Sequence, residues 1–304
     1  MTSEDKDQPR DDASLENRSR RDFVALSAAA GLAVTAAGTA SAAQVKVVEH
    51  DVNIHTPDGT CDAAFFHPAT GKHPGVIIWT DIFGLRPTFR AFGRRLAHSG
   101  YSVLVPNPFY RTAKAPVFTE SAIGKFNFRD PAARAKMAQI TGPINAPGAI
   151  ATDAKAHIGF LDSQSQVDTA RKIGTQGYCM GGPLVFETCA ADPDRVGAGA
   201  TFHGGGLVTN KPDSPHLLIP KIKARMYIAI ATSDDVRQPD AKDILRKAFA
   251  DAHVQAEVVV YQGMQHGWTV PDMPHQANGK PIYNKPEAER AWGKLLQLYR
   301  ETLA

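Results

Sequence analysis

The run Gly177-Tyr178-Cys179-Met180-Gly181, followed by Gly182, places a thiol at the centre of a G-x-C-x-G pentapeptide. With serine in place of cysteine, this is the pattern of a nucleophile held at the tip of a tight turn between a strand and a helix. The glycines there let neighbouring chain segments come close. Residues 171–176 read as a short strand and residues 180–191 as a helix, so the context fits. A thiol in that position becomes a nucleophile once a base can take its proton. The plainer reading is a buried structural cysteine after a strand, and the order of the partners along the chain weighs against it.

Asp234 and Asp235 follow an apolar run at 226–231, and His266 follows another at 258–261. Nucleophile, then acid, then histidine, the last two each just past a strand, is the order of the α/β-hydrolase fold. The remaining elements agree with it. Strand-like runs recur at 45–51, 61–67, 75–80, 102–106, 172–177, 198–202, 226–231 and 257–261. Helical spacing marks 88–99, 149–161, 180–191, 240–252 and 286–303. Central strands such as 75–79 are apolar on both faces, as in a parallel sheet covered by helices, whereas the first two alternate like an antiparallel edge. The expectation is one doubly wound, mostly parallel sheet of about eight strands with helices on both faces. Residues 111–148 interrupt the rhythm with two loops around a short helix at 131–140 and form a candidate lid.

The chain resembles the dienelactone hydrolase family over most of residues 45–302. The resemblance rests on Asp81-Ile82-Phe83-Gly84-Leu85, Gly100-Tyr101-Ser102-Val103-Leu104-Val105-Pro106, the cysteine pentapeptide, Ala231-Thr232-Ser233-Asp234, and Tyr261-Gln262-Gly263-Met264-Gln265-His266-Gly267. It implies hydrolysis of a carboxylic ester or lactone, with no cofactor. Cys179 would be the nucleophile, His266 the general base and then acid, and Asp234 the orienting carboxylate, with Asp235 competing for that last role. The backbone N–H groups of Ile82 and Met180 would form the oxyanion hole. Asp81 stands where relatives carry a glutamate that interacts with the thiol, although a turn-capping role is an equal alternative. Family members that act on a carboxylated lactone hold its carboxylate with arginines, one shortly after the histidine. Here residues 267–272 contain no arginine, which leaves Arg129 and Arg134 as candidate anion clamps. Trp268 and His203 are candidate pocket walls; His203-Gly204-Gly205-Gly206 imitates a lipase oxyanion motif but follows the nucleophile and reads as a strand-end turn near the site.

Arg20-Arg21 before an Ala-rich apolar run ending at Ala40-Ser41-Ala42 resembles a twin-arginine export signal. That predicts removal of residues 1–42 by way of the export machinery and a periplasmic or extracellular domain of residues 43–304. The run is too short for a convincing membrane span. Without residues 1–42 the chain carries 29 basic and 24 acidic residues, dispersed, which gives no nucleic-acid-binding pattern. The three cysteines, Cys61, Cys179 and Cys189, show no zinc-ribbon spacing and the eleven histidines are scattered, so no metal is expected. Two other classes fit less of the sequence. One is an exported small-molecule binding protein that has lost turnover; the other is a thiol redox protein using Cys179 with Cys189, which the absence of C-x-x-C opposes.

Overall fold

The computed structural model describes residues 45–276 and 278–303, so the expected export segment lies outside the described residues. Eight strands form one sheet: β1 (Val47–Thr56), β2 (Gly59–Pro68), β3 (Gly75–Trp79), β4 (Ser102–Pro106), β5 (Ile173–Tyr178), β6 (Val196–Phe202), β7 (Arg225–Ala231) and β8 (Ala256–Tyr261). Their order is β1-β2-β4-β3-β5-β6-β7-β8. The pairs β1–β2 and β2–β4 are antiparallel and the rest parallel. The expected antiparallel edge is therefore present.

Alternation along the strands divides the apolar side chains between two cores. Phe65, Ile77 and Leu104 face one side with helices α4 (Ala149–Ser163), α5 (Gly181–Ala191) and α7 (Ala241–Asp251). Their neighbours Phe66, Ile78, Val103 and Val105 face the other, with α1 (Pro87–His98) and α8 (Lys285–Thr302). This period of two is what a strand buried on both faces requires. The helices begin where local chemistry stops the preceding chain: Pro87 opens α1, and the Asn284 side chain accepts the Glu287 N–H at the start of α8.

Strand order reverses between β3 and β5, because β3 leads to β4 on one side while β5 leads to β6 on the other. The crevice beyond the carboxyl ends at such a reversal is where open α/β sheets bind ligands. Cys179 follows β5 directly, and the loop from Asp81 follows β3. The 111–148 excursion contains α2 (Glu120–Gly124) and α3 (Pro131–Thr141) and has a small core of its own. Phe118, Ile123 and Met137 are buried against Phe83 of the loop after β3, and the Phe83 ring meets Phe118 and Phe126 edge to face at 5.7 and 5.4 Å. Its first residue is fixed in place, since the Arg111 guanidinium forks onto the buried Asp153 at 2.8 Å.

Gly93 shows how closely α1 lies on the sheet. A Cβ added there would come within 2.5 Å of the fully buried Phe66 ring. Alanine would gain about 1 kcal/mol of helix propensity but lose about 1–3 kcal/mol to overpacking. Gly93→Ala is expected to lower stability by about 1 kcal/mol in urea denaturation; equal or higher stability would show that α1 can lift off β2 without cost.

Candidate active site

Cys179 adopts φ of +52°, the left-handed region that a side chain other than glycine's rarely occupies. The turn is possible because its neighbours have no side chains. A Cβ at Gly177 would lie 2.1 Å from the Gly181 carbonyl oxygen; at Gly181, 2.6 Å from the Trp79 carbonyl oxygen; at Gly182, 2.6 Å from the Gly204 Cα. The turn is pinned by the Cys179 N–H donating to the Phe202 carbonyl (3.1 Å) and by the Gly182 and Gly205 N–H groups donating to the Cys179 carbonyl (3.1 and 3.2 Å). The His203–Gly206 turn therefore packs against the elbow, in the supporting place expected for it. Met180 immediately precedes α5, putting the sulfur at a helix amino terminus, where negative charge is favoured.

The acid and the histidine are joined by three consecutive side chains. Helix α6 (Thr232–Arg237) starts at the end of β7. The Thr232 hydroxyl donates to the Tyr261 carbonyl at 2.9 Å and accepts from the Gly263 N–H at 2.9 Å. Ser233 Oγ accepts the His266 backbone N–H at 2.8 Å. The Asp234 carboxylate then accepts from His266 Nδ1–H, at 2.8 and 3.0 Å to its two oxygens. Asp235 turns away and binds Lys242 Nζ at 2.8 Å, so Asp234 is the acid brought to the imidazole. Thr232 and Ser233 escaped sequence reasoning except as spacer positions before an aspartate.

With Nδ1 held by Asp234, Nε2 is the nitrogen left for the sulfur, and Cys179 lies close enough to influence the imidazole's charge. Burial works against charge on the imidazole, but the negative sulfur and the Asp234 carboxylate outweigh it and raise the His266 pKa to about 10. That direction favours the charged imidazolium form of His266 at neutral pH. The Ile82 and Met180 N–H groups lie on the two loops flanking the sulfur, and neither has an acceptor among the described residues. Preorganised donors of that kind can meet an oxyanion.

A family model described as the dienelactone hydrolase family matches residues 61–303. The chain belongs to that family. A carboxymethylenebutenolidase of Rhodococcus opacus is 27% identical over 226 residues, spanning 72% of this chain and 82% of that protein. Among solved structures, a dienelactone hydrolase-like promiscuous phosphotriesterase from metagenomic libraries aligns with a TM-score of 0.68 at 22% identity, covering 85% of this chain and 99% of the other. The dienelactone hydrolase of Anabaena variabilis aligns at 0.54 with 15% identity, covering 85% and 99%. This member of the family has the α/β-hydrolase fold and is a hydrolase.

The other expected site residues are distributed differently. Asp81 is buried and does not reach for the thiol: its two oxygens take Arg86 Nη1 at 2.6 Å and Nη2 at 2.9 Å, and Oδ1 also accepts the Phe83 N–H at 2.9 Å. The turn-capping alternative is the one realised, and Arg86 is the partner that sequence reasoning missed. Arg129 and Arg134 are exposed on the excursion. Trp268 is fully buried against Tyr261 and His203 and is a wall beneath the site rather than a lining of it. His203 is 1% exposed, with its ring centroid 5.0 Å from that of His266 and Nε2 bonded to Thr269 Oγ1 at 2.8 Å. Burial, then the charge on His266, holds its pKa well below the ordinary value, so it stays a neutral support under the charged ring. A cavity of about 100 Å³ beside Asp234 and Asp235, bordered by the Gly204–Gly206 turn, touches neither Cys179 nor His266. Cys61 and Cys189 are free and buried, and burial raises both thiols far above the usual range.

Cys179 is the largest of the influences that raise the His266 pKa, so Cys179→Ala is expected to bring that pKa down by more than one unit in an NMR titration of the imidazole signals. An unchanged titration would mean that Asp234 alone sustains the charge.

Proposed function

We propose that this dienelactone hydrolase family member cleaves a carboxylic ester or lactone with Cys179 as the nucleophile of a Cys179–His266–Asp234 triad. The observation that carries this reading is the imidazole of His266 bound through Nδ1 to Asp234, with Cys179, at the tip of a left-handed turn, close enough to raise its pKa. The resemblance to a carboxymethylenebutenolidase supports the substrate class.

The sulfur attacks the carbonyl carbon, and its electron pair displaces the C=O π pair onto oxygen. The resulting oxyanion is met by the Ile82 and Met180 N–H groups, each such donor being worth about 3 kcal/mol in the transition state. Collapse re-forms the carbonyl and breaks the bond to the alkoxy oxygen, which leaves with the proton from His266 Nε2. The neutral imidazole next takes a proton from water as that water attacks the thioester. Collapse of the second oxyanion releases the acid and restores the thiolate and imidazolium. Throughout, Asp234 fixes the tautomer and balances the imidazolium charge.

The acyl group we infer is uncharged. Residues 267–272 supply no arginine and instead supply Asp272, whose carboxylate is 24% exposed. Arg86 is fully occupied by two carboxylates, and the Arg237 guanidinium lies 3.7 Å from Asp234, while Arg129 and Arg134 are exposed on the excursion. A thiol redox role is disfavoured, because Cys189 is fully buried with its sulfur 3.9 Å from Met226 Sδ. Residues 1–42 we read as a twin-arginine export signal, which would place the enzyme outside the cytoplasm.

The test uses protein lacking residues 1–42 with neutral short-chain aryl esters and a carboxylated lactone. Cys179→Ala is expected to abolish turnover, and Asp234→Asn to lower kcat about 10³- to 10⁴-fold, while Asp235→Asn stays within about 3-fold of wild type. Ester turnover that survives Cys179→Ala would sink the assignment; ligand-induced stabilisation without product would favour the binding-protein reading. For export, N-terminal sequencing of the secreted protein should begin near Ala43, and Arg20→Lys with Arg21→Lys should hold the precursor in the cytoplasm.

A further inference from the structure

The two loops that must meet at the sulfur, one after β3 carrying the Ile82 N–H and one after β8 carrying His266, are joined by one buried side chain. Arg86 is 1% exposed overall, with its guanidinium completely enclosed. One edge of its fork donates from Nη1 and Nη2 to the two oxygens of Asp81, at 2.6 and 2.9 Å. Another donates from Nε and Nη2 to the two oxygens of Asp272, at 2.7 and 2.8 Å. Nη1 also reaches the Gly84 carbonyl at 3.2 Å. The planar cation lies 5.6 Å from the Phe83 ring centre and 4.9 Å from that of Phe89, which leaves it little room to tilt.

Each contact acts on a segment that matters for catalysis. Asp81, besides binding Arg86, accepts the Phe83 N–H through its side chain and the Gly84 N–H through its backbone carbonyl (3.0 Å), so its orientation defines the turn that presents Ile82. Asp272 is six residues beyond His266. Between them, the Gly267 backbone sits at φ of +94° so close to Met273 that a Cβ would be 2.8 Å from its Cε. A guanidinium can bind two carboxylates in one plane because its five donors are fixed in a fork; lysine offers only a point charge. Two carboxylates and one guanidinium leave a net charge of −1, and the solvent contact of Asp272 makes that tolerable.

We propose that Arg86, clasped between Asp81 and Asp272, is a positioning residue that sets the oxyanion loop against the histidine loop. It touches neither substrate nor the reacting atoms and acts through the placement of the Ile82 N–H. The proposal deepens the hydrolase reading above and rests on it for its catalytic half, whereas the loop coupling itself does not depend on a substrate.

The test is Asp272→Asn, which keeps Arg86 paired with Asp81 and so leaves no buried cation alone. Hydrogen exchange of the peptide spanning residues 81–86, on the opposite loop, is expected to quicken several-fold. The kcat for a neutral aryl ester should fall about 10-fold with KM changed less than twofold, the signature of a misplaced transition-state donor. The pH dependence of Cys179 alkylation by iodoacetamide should match wild type, because the sulfur–imidazole pair is untouched. Asp272→Glu should restore most of kcat, whereas Arg86→Lys should not. Unchanged exchange at 81–86, or quickened exchange with unchanged kcat, would overturn the proposal; so would an alkylation profile that shifts with kcat, since the effect would then pass through His266. Wild type that turns over no ester while exchange responds as expected would count against the hydrolase reading and for the clasp.

Discussion

A cysteine at φ of +52° is tolerated only where nothing else competes for the space around it. That single backbone constraint organises the molecule. It requires Gly177 beneath the helix start, Gly181 against the carbonyls of Trp79 and Thr80, and Gly182 against Gly204. Through those close approaches it draws the ends of β3, β5 and β6 together, with the loop after β3 beside the turn. Strain of this kind persists only when the surroundings over-determine it, and here three strands and the start of α5 do so.

Charge is handled differently at each layer of the site. The imidazole of His266 can carry charge because Cys179 and the Asp234 carboxylate offset the cost of its burial. Beneath it, His203 is kept neutral by burial and by that same charge, so the enclosed floor does not stack one cation on another. Off to the side, the Asp81–Arg86–Asp272 group neutralises most of its own charge with directed hydrogen bonds and lets solvent screen the remainder at Asp272.

The eight strands, six of the helices and the order of Cys179, Asp234 and His266 could be read from the amino-acid sequence because they rest on local periodicity and on spacing relative to strand ends. What escaped that reading depends on partners far away along the chain. Arg86 looks like any surface arginine at the mouth of a helix until Asp272, 186 residues later, is seen on its guanidinium. Helix α6 follows Ala231, which has no side chain able to cap it, so nothing local announced it, and Asp234 reads as a strand-end loop residue rather than a helical one. The excursion showed itself as broken rhythm. That its phenylalanines would interlock edge to face around Phe83 is a property of three-dimensional packing, which no window of sequence displays. Asp81 was the reverse case: the resemblance pointed to the thiol, yet the shorter side chain is drawn to a cation five residues away.

Thr232, Ser233 and Asp234 clamp the Tyr261–His266 turn at five hydrogen-bonded points, two through the Thr232 hydroxyl, two through the backbone N–H and hydroxyl of Ser233 and one through the carboxylate. The acid and the imidazole are consequently held together at the ends of β7 and β8, while the sulfur is held at the end of β5 against that of β6. The two are tied together by the β6–β7 pairing and by His203, whose ring packs against His266. In the proposed reaction the proton therefore passes between groups that hang on different strands of one sheet, and the register of β5 to β8 is what sets their separation.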